Sequence, residues 1–450
     1  MRARPTSPRP TSPPPTSPSE PSESRPASRP LCRTLLTGLA TLTALSLAAA
    51  PWASAADPGR APDGEVITDW NLTAVQVIAG DAARPTAEPF LWYGFVSAAV
   101  YNAVVGIEGR YTAYKWNVRG PRHASSEAAA ATAARRVLLT YFPASRKRIE
   151  AAYADSLAKI PDGTAEEQGV RFGERAAARI VELREDDGRD SRVTFDPAPG
   201  PGVWQPAPPD HRPAQLPWLA QVRPMLFDSP DRFVPGPPPA LTSETYTRDL
   251  AEVKSVGAKD SVTRTAWQTE TARFFSHPLP QQLQAGYRDH AERHGLDIVE
   301  AARYFAAANT ASADATITTW NSKFGYAFWR PVTAVRQADT DGNPATEADP
   351  DWLPLLNTPP YPEYMGGHCA NDGAVMAVLD RLTDGDIDLR LSSTPTGTTR
   401  TYTDSADYMR DVIDARVWSG IHFRTADLVG SRVGRDIGNW ALDHYFRPLR

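Results

Sequence analysis

The run LDIVEAARYFAAANTASADATITTWNSKFGYAFWRP, Leu296 to Pro331, decides the fold. Val299, Ala302, Tyr304, Phe305, Ala308, Ala311, Ala315 and Trp320 recur near helical spacing, which predicts one long helix over about 296–320. Its many alanines suit close helix–helix approach. Two cations follow, Lys323 and Arg330, seven residues apart. They share a face if the helix continues to Trp329, although Pro331 disfavours helical geometry at Arg330.

The same periodicity recurs on both sides. Pro89 to Ile107 is free of charge and long enough to span a bilayer, but Gly94, Ser97, Tyr101 and Asn102 punctuate it. It reads as a helix buried on all sides, not as a membrane span. Ser125 to Ile160 predicts two helices broken at Pro143, and Thr164 begins another with Glu166 and Glu167 in its first turn. Further helices are expected at about 243–256, 259–276, 280–294, 367–383, 404–418 and 426–445. Alternating strand patterns are nearly absent and no internal repeat is visible. The expected fold is therefore mainly α, a helical-bundle core with long Pro-rich loops, in a single domain over 56–450.

The 450 residues are 41% hydrophobic and 22% charged, an ordinary globular balance. A net charge of −5, with no basic run outside the extreme N-terminus, argues against nucleic acid as a partner. Of 43 prolines, ten lie in residues 1–30 and fourteen in 197–239. Proline thus marks two irregular segments, and a loop as long as 190–242 is usually functional or wrapped over a surface.

Residues 1–30 repeat Pro, Thr and Ser, hold little apolar surface and are expected to be disordered. Arg33 precedes the apolar stretch Leu35–Ala50, and Ala53-Ser54-Ala55 follows. That order predicts a secretory signal within 1–55, cleaved after Ala55, and hence an exported protein with no stable membrane span. Of the two cysteines, Cys32 would leave with the signal, so the mature chain holds Cys369 alone and no internal disulfide.

Chemistry concentrates in the C-terminal third. Besides Lys323 and Arg330 there are Met365-Gly366-Gly367-His368, running into an apolar helical stretch, and Arg416-Val417-Trp418-Ser419-Gly420-Ile421-His422. Adjacent glycines at a helix start let backbone N–H groups point at an anion, with His368 in the first turn facing it. Arg416 closes a helix, Gly420 breaks it, and His422 lies in the connection before the last helix. Three permanent cations and two histidines suit a multiply charged tetrahedral oxyanion. A separate acidic stretch, Asp339-Thr340-Asp341-Gly342-Asn343, imitates a calcium loop. Its glycine is at the wrong position and Pro350 stands where a bidentate Glu is needed, so it reads as an acidic surface loop.

Lys323, six residues, then Arg330-Pro331; Gly367-His368; and Arg416, five residues, then His422 resemble the three-part signature of the type 2 phosphatidic acid phosphatase superfamily, which includes the vanadium haloperoxidases. Phe328-Trp329-Arg330-Pro331-Val332-Thr333-Ala334, Pro359-Pro360-Tyr361-Pro362-Glu363-Tyr364 and Gly420-Ile421-His422-Phe423-Arg424 resemble bacterial haloperoxidase-like members in particular. The resemblance implies vanadate as cofactor, or phosphate in the same pocket. It implies His422 as the axial vanadium ligand, His368 as acid–base residue, and Lys323, Arg330 and Arg416 on equatorial oxygens with the backbone of Gly366 and Gly367. Lys323 would also polarise bound peroxide. Trp320 stands where some relatives carry an aromatic near the halide, and otherwise reads as a core tryptophan.

The implied substrates are hydrogen peroxide and halide. The alternative is a phosphate ester, cleaved by an acid phosphatase through a phosphohistidine at His422. One departure stands out. The family usually has Pro-Ser-Gly-His, and its serine hydroxyl contacts the anion; Gly366 cannot supply it. Losing one such donor costs roughly 10²–10³ in rate, and points to a third possibility, a catalytically weakened oxyanion-binding homologue. A Gly366→Ser variant that gains activity would identify the missing hydroxyl as the limit.

Overall fold

The computed structural model describes residues 62–449, so the expectations for residues 1–55 lie outside the described chain. The first half supplies α1 (Glu65–Val75), α2 (Pro89–Glu108), α3 (Ser126–Tyr141), α4 (Arg146–Leu157) and α5 (Thr164–Leu183). The second half supplies α6 (Glu244–Val256), α7 (Ala266–Phe274), α8 (Leu279–Arg293), α9 (Ile298–Tyr326) and α10 (Pro331–Arg336), then α11 (Gly367–Leu382), α12 (Ser405–Trp418) and α13 (Arg424–His444). The fold is mainly α, as expected. α2 is long and apolar enough to cross a membrane, but 94% of its most apolar window is buried inside the protein. It is a core helix packed along α9.

α9 is the axis. A capping box starts it: the Asp297 carboxylate accepts from the Val299 and Glu300 N–H groups, and Glu300 reaches back to the Asp297 N–H. Its alanines are buried on every side, against α2 on one flank and α11 and α13 on the other. α9 does not continue to Trp329. Ala327 turns left-handed at φ 49°, and Arg330 is extended (φ −83°, ψ 155°) as Pro331 requires. Lys323 and Arg330 therefore lie on different elements.

α11 and α13 lie backbone to backbone. A Cβ at Gly434 would stand 2.0 Å from the Ala370 carbonyl oxygen, and one at Gly373 2.4 Å from that of Ser431. Only glycine permits this approach, and it brings the N-terminal turns of the two helices together. His368 opens one and His422 precedes the other.

Two expectations needed correction. α7 begins at Ala266, not 259, because side chains win over helix in 258–265. Ser261 and Thr263 bond the Ser255 carbonyl, and Thr265 caps the helix with Gln268. A short antiparallel hairpin, β1 (Leu389–Ser393) with β2 (Thr398–Tyr402), turns through Gly397 at φ 67°. Its alternation is only five residues long per strand.

The Pro-rich passage is wrapped over the bundle and pinned to it. The Met225 and Leu226 N–H groups donate to the buried Asp314 carboxylate of α9 at 2.6 and 2.7 Å. Trp204 N–H donates to the Ala327 carbonyl, and Trp329 N–H to that of Gly202. The strap thus holds the Lys323–Arg330 turn in place. The calcium-like stretch is a folded pin rather than a plain surface loop. Asp341 and Asn343 are buried, bonded to Thr346, Leu241 and Thr247. Among the described residues no group of three His, Cys, Asp or Glu side chains is placed to hold a metal ion.

Candidate active site

The five side chains singled out by the sequence converge. Lys323 leaves the end of α9, Arg330 caps α10, His368 opens α11, Arg416 ends α12, and His422 lies between α12 and α13. Lys323 and Arg330 are fully buried, and His422 and Arg416 nearly so. What each donor meets is partly unexpected.

His422 is the best-defined group. Its Nδ1 lies 2.9 Å from Glu363 Oε1, and its Nε2 lies 3.2 Å from Arg330 Nη1. A guanidinium can only donate, so Nε2 is the acceptor and Nδ1 carries the proton that Glu363 receives. Burial, reinforced by Arg330 and Lys323, holds this imidazole well below its ordinary pKa. The result is a neutral ring with a fixed Nε2 lone pair beside a cation, the tautomer a ligating histidine needs.

Glu363, which carries no distinguishing mark in the sequence, organises this half of the site. Its Oε1 also accepts from Phe423 N–H at 3.0 Å. Burial pushes its carboxyl up to about 7, against the pull of Lys323 and Arg330. Asp427, in the first turn of α13, is a second buried carboxyl near His422, with Oδ1 3.9 Å from Nδ1. Burial first, and Glu363 next, push it well above the ordinary carboxylate range.

Lys323 is placed otherwise than expected. Its Nζ donates to the carbonyls of Pro362, Glu363 and Met365 at 3.0, 2.6 and 2.6 Å, which uses all three protons. It clamps the 362–365 turn that carries Glu363. Gly366 also differs: its N–H donates to the Ala426 carbonyl at 2.9 Å. The N–H of Gly367 is better placed for an anion, since no side chain caps α11.

A serine at 366 would not be accommodated freely. A Cβ there would meet Asp427 Oδ1 at 2.2 Å, Asp427 Cα at 3.0 Å and the Ala426 carbonyl at 3.2 Å. The space is occupied by Asp427.

His368 and Arg416 form the other half, facing a cleft of about 650 Å³. His368 is held neutral by burial first and Arg416 second. Its Nε2 lies 3.4 Å from Asp372 Oδ2 without hydrogen-bond alignment. Asp372 accepts from Tyr408 OH at 2.9 Å, and burial pushes its carboxyl up to about 8. Its spacing of four from His368 on one helix is a signal the sequence did offer. Cys369 is a free, fully buried thiol that burial holds protonated. Trp320 is buried and packs on Tyr361 at 5.0 Å, one layer behind the cleft wall.

Whether these residues fit an oxyanion turns on the donors left over. Arg330 Nη2 and Arg416 Nε are buried with no acceptor, and His368 Nε2 has no partner. A buried unpaired guanidinium donor is costly, and an anion would satisfy both. The fit is to a reduced set: Arg330, Arg416, His422 and the α11 N-terminus, without the Lys323 ammonium or the Gly366 amide. The unpartnered oxygens of Asp427 and Glu363 Oε2 sit with them, so the seat is lined by carboxyls as well as cations.

Residues 303–450 match the VCPO second helical-bundle domain. The vanadium chloroperoxidase of Curvularia inaequalis is 25% identical over 282 residues, which is 51% of this chain and 46% of that protein. The match thus spans about half the length of that curated relative. The crystal structure of the first bacterial vanadium-dependent iodoperoxidase superposes with a TM-score of 0.74 at 23% identity, over 85% of this chain and 97% of the other. A holo-type bacterial vanadium-dependent chloroperoxidase gives 0.67 at 18% identity, again over 85% and 97%. The C-terminal third thus matches a vanadium chloroperoxidase domain, and the described fold is shared with the bacterial vanadium-dependent haloperoxidase structures.

Proposed function

We propose that this chain is a vanadate-dependent haloperoxidase-like enzyme that oxidises halide with hydrogen peroxide. The observation that carries the reading is the His422 ring, with Nδ1–H tied to Glu363 and the Nε2 lone pair presented between Arg330 and other unpaired donors. His422 would bond vanadium through Nε2, and Arg330, Arg416 and the Gly367 amide would hold the oxygens. Vanadate, when bound, supplies the Lewis-acidic centre that activates peroxide.

The chain's own groups do the rest. Glu363 fixes the ligating tautomer, and Lys323 fixes Glu363 by clamping its turn. His368, neutral and lining the cleft, can take or return a proton on the open side. The narrow buried seat excludes bulk water from the Arg330–His422 side.

Purified protein loaded with orthovanadate and given bromide and peroxide is expected to halogenate an organic acceptor. No halogenation with vanadate bound would overturn the reading. The same unprotonated Nε2 and unpaired arginine donors also suit a phosphate ester, with His422 as nucleophile and His368 as acid. Release of phosphate from such an ester, with halogenation absent, would favour that second reading. Silence in both assays with the oxyanion bound would identify a catalytically weakened homologue.

We also propose export, on the basic, apolar and small-x-small order of residues 1–55. N-terminal sequencing of protein from the culture medium is expected to begin at Ala56. Full-length protein confined to cells would contradict it.

A further inference from the structure

The cleft over His368 and Arg416 is far larger than peroxide and halide require. It measures about 650 Å³, within the range of about 300–1,000 Å³ typical of pockets that enclose an organic ligand. A water-sized molecule occupies about 30 Å³. Most of the cleft therefore has no use in halide oxidation alone.

Its lining specifies a chemical class. Phe275, Leu279, Leu216 and Tyr361 give it apolar and aromatic walls. Arg212, His277, His368 and Arg416 line it as well. No aspartate or glutamate lines it, although the whole chain carries a net charge of −5. Two carboxyls lie next to lining residues without lining the cleft themselves. Asp210 is an exposed neighbour 3.8 Å from Arg212, and Asp372 sits behind His368.

One lining side chain has a hydrogen bond of fixed sense. His277 Nδ1 accepts from Thr394 N–H at 3.2 Å, so a neutral ring keeps its proton on Nε2 and offers it as a donor. Cations, donors and aromatic walls without an acidic residue select against organic cations and favour an anion with a flat apolar body.

We propose that this cleft binds an organic anion with an aromatic or otherwise flat apolar body, held beside the oxyanion seat by Arg212 and His277 with its ring against Phe275 and Tyr361. The proposal rests on the functional reading above, since His368 and Arg416 of that site line the cleft. It adds a bound organic partner where a freely diffusing oxidant would need none.

Isothermal titration calorimetry of the whole protein tests it, with 2-naphthoate and the neutral 2-naphthamide as probes, each with and without saturating orthovanadate. One naphthoate per chain is expected, about tenfold tighter than the amide, as a charge-assisted hydrogen bond gives. Binding is expected to persist with orthovanadate present. Ser276→Trp, which fills the cleft from its wall, should weaken both probes about tenfold by exclusion. Arg212→Gln, at an exposed position that should fold normally, should weaken naphthoate about threefold and leave the amide unchanged.

Equal affinity for the two probes, one-for-one displacement of naphthoate by orthovanadate, or no response to either variant would overturn the proposal. Naphthoate bound without any orthovanadate binding would instead break the haloperoxidase reading and leave the cleft standing. Orthovanadate bound without naphthoate would do the reverse.

Discussion

The two histidines of the site live in opposite surroundings. Around His422 every polar direction is prescribed: Glu363 takes its Nδ1–H, Arg330 meets Nε2, Lys323 clamps the turn beneath, and Asp427 fills the space beside Gly366. Around His368 little is prescribed. Its Nε2 has no hydrogen-bond partner, its one carboxyl neighbour is held protonated by burial, and the ring borders an open cleft. The difference separates two jobs. One half is built to hold an anion in one orientation, and the other to admit reactants and move protons.

Lys323→Met gives the largest expected change, because it asks which half Lys323 serves. If it clamps the turn, its loss frees three buried carbonyls and lowers stability by about 3 kcal/mol, without any oxyanion present. Thermal melts in oxyanion-free buffer read this directly. An unchanged or higher melting temperature would mean that Lys323 is there for the anion instead.

Glu363→Gln comes next. It keeps the shape but weakens the hold on the His422 tautomer, so orthovanadate affinity should fall about 10–100-fold, the range for the partner of a metal-binding histidine. Equal affinity would show that the carboxylate does not organise this half.

Gly366→Ser sharpens the contrast further. A gain would identify the missing hydroxyl as the limit, whereas crowding against Asp427 predicts a loss of about 1–2 kcal/mol in stability and no gain in turnover. Pairing it with Asp427→Ala should recover the stability. A single Gly366→Ser chain that is both stable and faster would contradict the geometry.

The smallest effect belongs to the His368 half. Asp372 is pushed up to about 8, well above its ordinary value of 3.8. The folded chain keeps a proton that the unfolded chain releases, so this group's contribution is complete below about pH 4 and shrinks as pH rises to about 8. Asp372→Asn keeps an acceptor for Tyr408 and removes that titration. Its melting temperature should fall less than wild type between about pH 5 and pH 8. Parallel curves would place the titration elsewhere.

Much of this was legible in advance, and the residues show why the remainder was not. The helices around α2, α9, α11 and α13 followed from periodicity, since burial on a helix leaves its mark every third or fourth residue. The cations and histidines followed from spacing within short motifs. Glu363 escaped because its role depends on meeting a histidine 59 residues later in the chain. Asp427 looks like an ordinary acid in a first helical turn, which the dipole favours anyway. Lys323 was read as a free charge, and only the path of 362–365 reveals that its protons are already taken. Motifs record which groups are present; the fold decides which of them remain free.

The central claim is that Arg330, Arg416 and His422 form an oxyanion seat organised by the His422 tautomer. Equilibrium titration with orthovanadate, followed by calorimetry on wild type and His422→Ala, tests it most directly. The account predicts one equivalent bound by wild type and a loss of at least about 100-fold in His422→Ala. Wild type that takes up no orthovanadate, or His422→Ala that binds it as tightly, would contradict the account.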